Sequence, residues 1–174
     1  MGEHGWEITC NSADVGTVYS ALKQAGVKPA GLFAQTSMRI EKGFRAMGHE
    51  LDSDVSPIDV GLAAFTRKSG GFTGYEAMQK YRALPHNNQI ASLIFNDESI
   101  VPLGHEPIVN DGQIIGKTTS CAFGYRVGKP VALGQVSIAL NEGDNLQVNI
   151  AGKLCKVTTH HEALFDVHGA RMKL

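Results

Sequence analysis

No stretch of this 174-residue chain approaches the roughly 20 consecutive apolar residues of a membrane-crossing helix, and no basic-then-apolar leader opens it. An excess of one charge sign is also missing. The 16 Lys and Arg balance 17 Asp and Glu, with no block of like charge, so neither nucleic acid nor an anionic membrane surface is recruited electrostatically. Cysteine is scarce: Cys10, Cys121 and Cys155 form an odd set at wide spacing, which excludes a disulfide framework and a C-x-x-C metal clip. The expectation is therefore a cytoplasmic protein with reduced, packed thiols, no nucleic-acid or membrane partner and no metal.

What is present suffices for a core. At 174 residues and 43% hydrophobic content, the chain can bury roughly two thirds of its unfolded surface, enough for one domain or two small ones. Trp6, Glu7, Ile8, Thr9 and Cys10 alternate apolar with polar, which predicts a half-buried strand with Trp6, Ile8 and Cys10 inward and Glu7 on the other face. Ser12 is placed to cap a helix carrying Val15, Val18, Tyr19, Leu22 and Ala25, and Gly26 supplies its stop. Pro29 suits the entry of a second helix, from about 30 to 42, with Phe33, Ser37, Ile40 and Phe44 on one stripe.

From Gly48 to about Gln89 turn-forming residues dominate, with one short helical stretch from Tyr75 to Tyr81; this reads as a connector. Beyond it the pattern becomes short β-rich runs at 90–95, 113–125, 129–139, 145–150 and 153–159. Asn110-Asp111-Gly112, Asn141 to Asp144 and Ala151-Gly152-Lys153 supply tight turns between them. Five or six strands with no helix signal to cover a sheet predict a closed or nearly closed barrel. The expected class is α+β: a partial N-terminal α/β lobe of strand, helix and helix in residues 1–85, then an antiparallel β-barrel in residues 86–174.

Several chemical signals fail their context. Asp111 to Thr118 nearly spells a phosphate-binding loop, but aspartate stands at the first glycine and strand rather than helix follows. His160 and His161 are adjacent, so on a strand they point to opposite faces and do not readily share one ion, with or without His168. A cysteine nucleophile has no histidine or carboxylate arrangement beside it in sequence. Glu7 alone reads as a solvated strand residue.

One long run changes that reading. Between Gly31 and Leu51 the chain carries Ala34, Ser37, Met38, Arg39, Ile40, Glu41, Lys42, Gly43, Phe44, Arg45, Gly48, His49 and Glu50. This resembles the family pattern G-x-x-A-x-x-S-(L/M)-R-(I/L)-E-(K/A)-G-(F/Y)-R-x-(W/Y)-G-H-(E/D)-(L/I) of the folate-dependent aminomethyltransferases. That family includes the glycine-cleavage T-protein and the C-terminal halves of sarcosine and dimethylglycine dehydrogenases. The Glu41 to Arg45 version is similar to the dehydrogenases. The resemblance continues through Ser56 to Leu62, Phe72 to Met78, Gly112 to Ser120, and Phe165-Asp166 with Gly169 to Lys173.

Met1 to Glu7 matches the family's Y-x-G-E-x-G-(W/Y/V)-E from its second position, so the resemblance implies that Met1 is internal to a longer parent. It also implies that Glu7 binds the pterin of tetrahydrofolate, with Glu3 as a turn residue. An ionised carboxylate suits the paired N–H edge of a pterin, because it accepts both hydrogens at once. Gln35 stands where T-proteins carry a substrate-binding arginine, so that contact is not carried over. Arg39 and Glu41 read as structural anchors.

The implied parent is a sarcosine or dimethylglycine dehydrogenase-like enzyme that passes the one-carbon unit of a methylated glycine to tetrahydrofolate. FAD belongs to the parent alone, since no G-x-G-x-x-G follows a strand here. The segment by itself is expected to be inactive; a eukaryotic parent would place it in the mitochondrial matrix. Two alternatives stay open: a non-catalytic module completing a flavin-containing subunit or self-associating, and a T-protein or sulfonium-demethylase relative.

Overall fold

The computed structural model describes residues 4–66, 69–137 and 139–173. Glu3 lies outside them. Three helices come first, α1 (Val15–Gln24), α2 (Leu32–Glu41) and α3 (Tyr75–Arg82). Six strands follow: β1 (Gln89–Phe95), β2 (Pro107–Asn110), β3 (Gln113–Gly124), β4 (Lys129–Val136), β5 (Asn145–Ile150) and β6 (Lys153–His160). They close antiparallel in the order β1-β4-β3-β2-β5-β6, which leaves this barrel no free edge.

The turns form for the reasons their residues suggest. Asp111 (φ 47°) and Gly112 (φ 78°) both sit in left-handed backbone between β2 and β3, as a two-residue hairpin with the twist of its strands requires. β2 itself was not anticipated. It is only four residues long, opens on a proline, and follows a stretch broken by Pro102 and Gly104, so no alternation has room to show. Proline is tolerated at a strand's first position, where it interrupts the ladder least.

Burial alternates with strand period. Ala91, Leu93 and Phe95 of β1 and Ala132 and Val136 of β4 join the barrel interior with Ile108, Val148 and Val157. The opposite faces, Ile90 of β1 and Val131 and Leu133 of β4, pack with Ile40 of α2 and Val60 of the connector. Both faces of these strands are thus covered, which is why β1 and β4 read as nearly unbroken apolar runs. The barrel does have a covering helix. It is α2, supplied from the N-terminal part of the chain and packed on β3 and β4.

The N-terminal part departs further from expectation. Residues 6–10 form no strand; Trp6, Ile8 and Cys10 are exposed, Trp6 by 88%. A strand needs a ladder partner, and among the described residues none is offered to this segment. Ser12 opens a 3-10 turn instead of capping α1, which has Asp14 at its N-cap without a side-chain cap bond. Gly26 (φ 86°) ends α1 as predicted, with Val27 N–H donating back to Leu22 C=O at 3.1 Å. On α2, Ser37 and Ile40 are buried, but Phe33 is 93% exposed.

Strand approach is closest at Gly116, where a Cβ would lie 2.0 Å from the Gln135 carbonyl oxygen. Gly116→Ala is therefore expected to cost about 2–4 kcal/mol, whereas Gly5→Ala, which meets nothing within 4 Å, leaves stability unchanged. Urea denaturation of both variants, followed by the β-sheet circular dichroism signal, checks the contrast.

Candidate functional site

The last turn of α2 and the loop after it build a buried polar knot. Arg39 Nη1 lies 3.2 Å from Glu50 Oε2, and Arg39 Nη2 donates to Ser120 Oγ at 2.7 Å. Ser120 Oγ in turn donates to Glu50 Oε1 at 2.6 Å, Thr119 Oγ1 reaches the same oxygen at 2.6 Å, and Ala46 N–H reaches Oε2 at 3.0 Å. Burial alone would raise the Glu50 carboxyl. The hydrogen bonds from Ser120, Thr119 and Ala46, with the Arg39 charge, overcome that and hold it below the usual carboxylate range.

Arg39 and Glu41 are both anchors, as expected, though to other partners than each other. Glu41 Oε1 accepts the backbone N–H groups of Arg126 at 2.7 Å and Val127 at 3.2 Å, fixing the β3–β4 turn against α2. Glu50 was missed as a partner. Its signal was present, since it closes the Gly48-His49-Glu50 motif, but nothing in a turn-rich segment says that a carboxylate folds inward.

A second junction holds the C-terminal segment. Lys42 Nζ lies 3.1 Å from Asp166 Oδ2, and the same carboxylate accepts N–H bonds from Ala170 at 2.9 Å and Arg171 at 3.3 Å. Its carboxyl is lowered because these donors outweigh the opposing effect of burial. Phe165 carries the Arg126 guanidinium 4.3 Å above its ring and that of Arg171 at 5.3 Å. Against this closing segment lies the N-terminal one, where His4 N–H donates to Arg171 C=O at 3.1 Å.

Glu7 sits three residues beyond that hydrogen bond. It is exposed and has no side-chain partner among the described residues, so its carboxylate is an open acceptor without walls around it. An apolar groove of about 540 Å³ runs between the start of α2 and the barrel, lined by Phe33, Thr36, Leu103, Cys121, Phe123 and Tyr125. Cys121 is a thiol there: burial first, then the Glu106 charge, pushes it up to about 12, which removes nucleophilic character at neutral pH. Glu106 is occupied structurally, accepting N–H bonds from Leu103 at 2.6 Å and Gly104 at 2.9 Å and the Thr118 hydroxyl.

The remaining sequence signals are dispersed. The Asp111 to Thr118 stretch continues into β3 as strand. His160 Nδ1 contacts Glu142 Oε1 at 2.5 Å while His161 uses its backbone N–H on the same carboxylate at 2.8 Å. Among the described residues no group of three His, Cys, Asp or Glu is arranged to hold a metal, and no helix is long and apolar enough to cross a membrane.

Known proteins match this chain over two stretches. Residues 1–70 match the GCVT N-terminal domain and residues 88–166 match the glycine cleavage T-protein C-terminal barrel domain. Mitochondrial dimethylglycine dehydrogenase of Mus musculus is 31% identical over 180 residues, covering 99% of this chain and 21% of that protein. An aminomethyltransferase of Moorella thermoacetica is 33% identical over 159 residues, covering 88% of this chain and 43% of the relative. The crystal structure of glycine cleavage system aminomethyltransferase T from Bartonella henselae superposes with a TM-score of 0.78 at 25% identity, over 87% of this chain and 44% of that one. The chain thus spans about a fifth to under half the length of these relatives.

The Glu50 knot makes a prediction about acid stability. A carboxyl whose folded value lies below its unfolded one, near about 4.3, stabilises the fold above that pH and loses the contribution as pH falls through the folded value. Glu50→Gln is expected to flatten this acid limb. Glu50→Ala, which strands Arg39 and two hydroxyls, is expected to cost about 3–5 kcal/mol at neutral pH. Denaturant titrations across an acid pH series measure both.

Proposed function

Because this chain belongs to the glycine cleavage T-protein family, we propose that it forms the C-terminal part of a tetrahydrofolate-dependent aminomethyltransferase unit of the sarcosine/dimethylglycine dehydrogenase kind. The observation that carries this reading is a match to a dimethylglycine dehydrogenase extending over 99% of the chain, with Glu7 closing the Gly-Trp-Glu motif. In this reading residues 1–85 belong to the folate-binding part and residues 86–174 form the terminal barrel. The working compartment is the cytoplasm, or the mitochondrial matrix in a eukaryote.

Glu7 supplies the specific chemistry. A carboxylate accepts hydrogen bonds and donates none when ionised, so it selects a ligand edge with two adjacent N–H groups, as tetrahydrofolate presents on its pterin. An acceptor with no partner among the described residues fits that task. Tetrahydrofolate supplies the nucleophilic nitrogens that take up a one-carbon unit; Glu7 orients the ring. α2 and the barrel contribute rigidity through the Arg39–Glu50–Ser120 knot. The one-carbon donor is a methylated glycine, and the flavin that would oxidise it belongs to the parent, outside this chain.

Trp6 is the chain's 1 tryptophan, next to Glu7 and 88% exposed, so its fluorescence reports ligand at this segment. Tetrahydrofolate at high concentration is expected to quench it, and only weakly, because one exposed carboxylate encloses little of the ring. Losing a charge-assisted bond of about 1.5–3 kcal/mol, Glu7→Gln should weaken that binding by roughly ten- to a hundredfold. Binding indifferent to Glu7→Gln would refute the assigned contact. Steady-state assays with sarcosine or dimethylglycine plus tetrahydrofolate are expected to show no turnover from this chain alone; robust turnover would refute the partial-unit reading.

A further inference from the structure

The outer face of the barrel carries a polar cleft of about 540 Å³ that the folate reading does not use, lined by Asn96, Asn110, Asp111, Asn145, Gln147 and Lys156, with Val109 and Leu146 completing its walls. Strand alternation builds it. Leu146, Val148 and Val157 belong to the barrel interior, so Asn145, Gln147 and Lys156 take the other face. Gln147 pairs with Val109 of β2 on one side and with Lys156 of β6 on the other, and the Lys156 carbonyl accepts the Asn96 N–H at 3.1 Å. These residues therefore stand side by side across neighbouring strands of a closed sheet, on backbone that holds them in place before any ligand arrives.

The side chains in this row are unspent. Asparagine is disfavoured in strands and ordinarily serves turns, where its side chain bonds nearby backbone. Asn149 does this, its Oδ1 accepting the Gly152 N–H at 2.9 Å. Asn110, beside the Asp111-Gly112 turn, and Asn145, at the start of β5, do not. Among the described residues neither makes a side-chain hydrogen bond, and nor do Asp111, Gln147 and Lys156. Asn96 uses only its Oδ1, which accepts the Thr158 hydroxyl at 3.3 Å and leaves the amide hydrogens free.

We propose that this cleft binds a neutral saccharide. A carboxamide carries donors and an acceptor together, so a row of them is matched by a ligand with hydroxyls on successive carbons, each of which donates and accepts in turn. Lys156 and Asp111 add one charge of each sign, which leaves no net field to draw an anion or a cation. Each still bonds a hydroxyl, the ammonium as donor and the carboxylate as acceptor from two adjacent ones. Sites for cofactors and apolar ligands are lined mainly by hydrophobic and aromatic side chains; no aromatic residue lines this cleft. Without a ring to stack on, affinity rests on hydrogen bonds exchanged with water, which sets Kd on the order of millimolar.

Titration of the isotope-labelled chain with glucose, maltose and lactose, followed in proton–nitrogen correlation spectra, is expected to shift the carboxamide resonances of Asn96, Asn110, Asn145 and Gln147 saturably. Gln24 on α1 should not move. Asn145→Ala and Gln147→Ala remove side chains that bond nothing within the chain, so the barrel's circular dichroism is expected to stay unchanged while each weakens binding roughly three- to tenfold, the worth of one neutral hydrogen bond. Gln24→Ala should leave binding as it is. The absence of saturable shifts with every one of these sugars overturns the proposal, and so does binding that survives Asn145→Ala and Gln147→Ala combined. Equal shifts on adding inorganic phosphate alone overturn it too, since they mark an anion site at Lys156. The outcome is independent of the tetrahydrofolate titration, which reads Trp6 and Glu7.

Discussion

The Glu50 carboxylate is the constraint on which the joining of the two parts of this chain depends. It takes two oxygens out of water and satisfies them with Arg39 from α2, Ser120 and Thr119 from β3, and the Ala46 amide of the loop between. A buried ion pair is not by itself a source of stability, because desolvation offsets most of its Coulomb attraction. What it supplies is geometry. Only one seating of α2 on the barrel brings the guanidinium, both hydroxyls and the amide to the same carboxylate, so other apolar packings of the helix leave a charge buried and unpaired.

Around that point the apolar packing is layered. The barrel interior closes on Leu93, Phe95 and Val157, and a second cluster sandwiches Ile40 and Val60 against the outer faces of β1 and β4. Fully burying one such side chain contributes about 1.5–3 kcal/mol, so the outer layer holds α2 as firmly as the polar knot orients it. Lys42 and Asp166 then fasten the C-terminal segment to the end of the same helix. Motifs far apart in the chain, Gly31 to Leu51, Thr118 to Ser120 and Phe165 to Arg171, therefore meet at α2.

The N-terminal segment contrasts with this. Glu7, Trp6 and the apolar stripe of α1 lie outside both clusters, and the groove beside Phe33 and Tyr125 is open. A small-molecule site buries most of its ligand surface, which one exposed carboxylate does not accomplish. Rigid scaffold and uncovered apolar surface are thus segregated along the sequence, the first built by α2 and the barrel, the second by the residues before them.

Local chemistry made much of this legible in advance. Helix boundaries at Gly26 and Tyr75, hairpins at Asp111-Gly112 and Ala151-Gly152, and the barrel strands other than β2 follow from φ preferences and apolar patterning that each short stretch carries within itself. The run from Gly31 to Leu51 specified the family, and with it the candidate role of Glu7. Three things needed the tertiary structure. Whether residues 6–10 become a strand depends on a partner's hydrogen bonds, which alternation cannot supply. That α2 roofs the barrel depends on Ile40 meeting Val131 and Leu133, some 90 residues away in sequence. That Glu50 turns inward depends on Arg39, Thr119 and Ser120 converging on it. The sequence by itself determined the elements and the lineage, because both are written in neighbouring residues; the tertiary structure decided which polar groups are buried and which apolar ones stay bare, because burial belongs to contacts between distant ones.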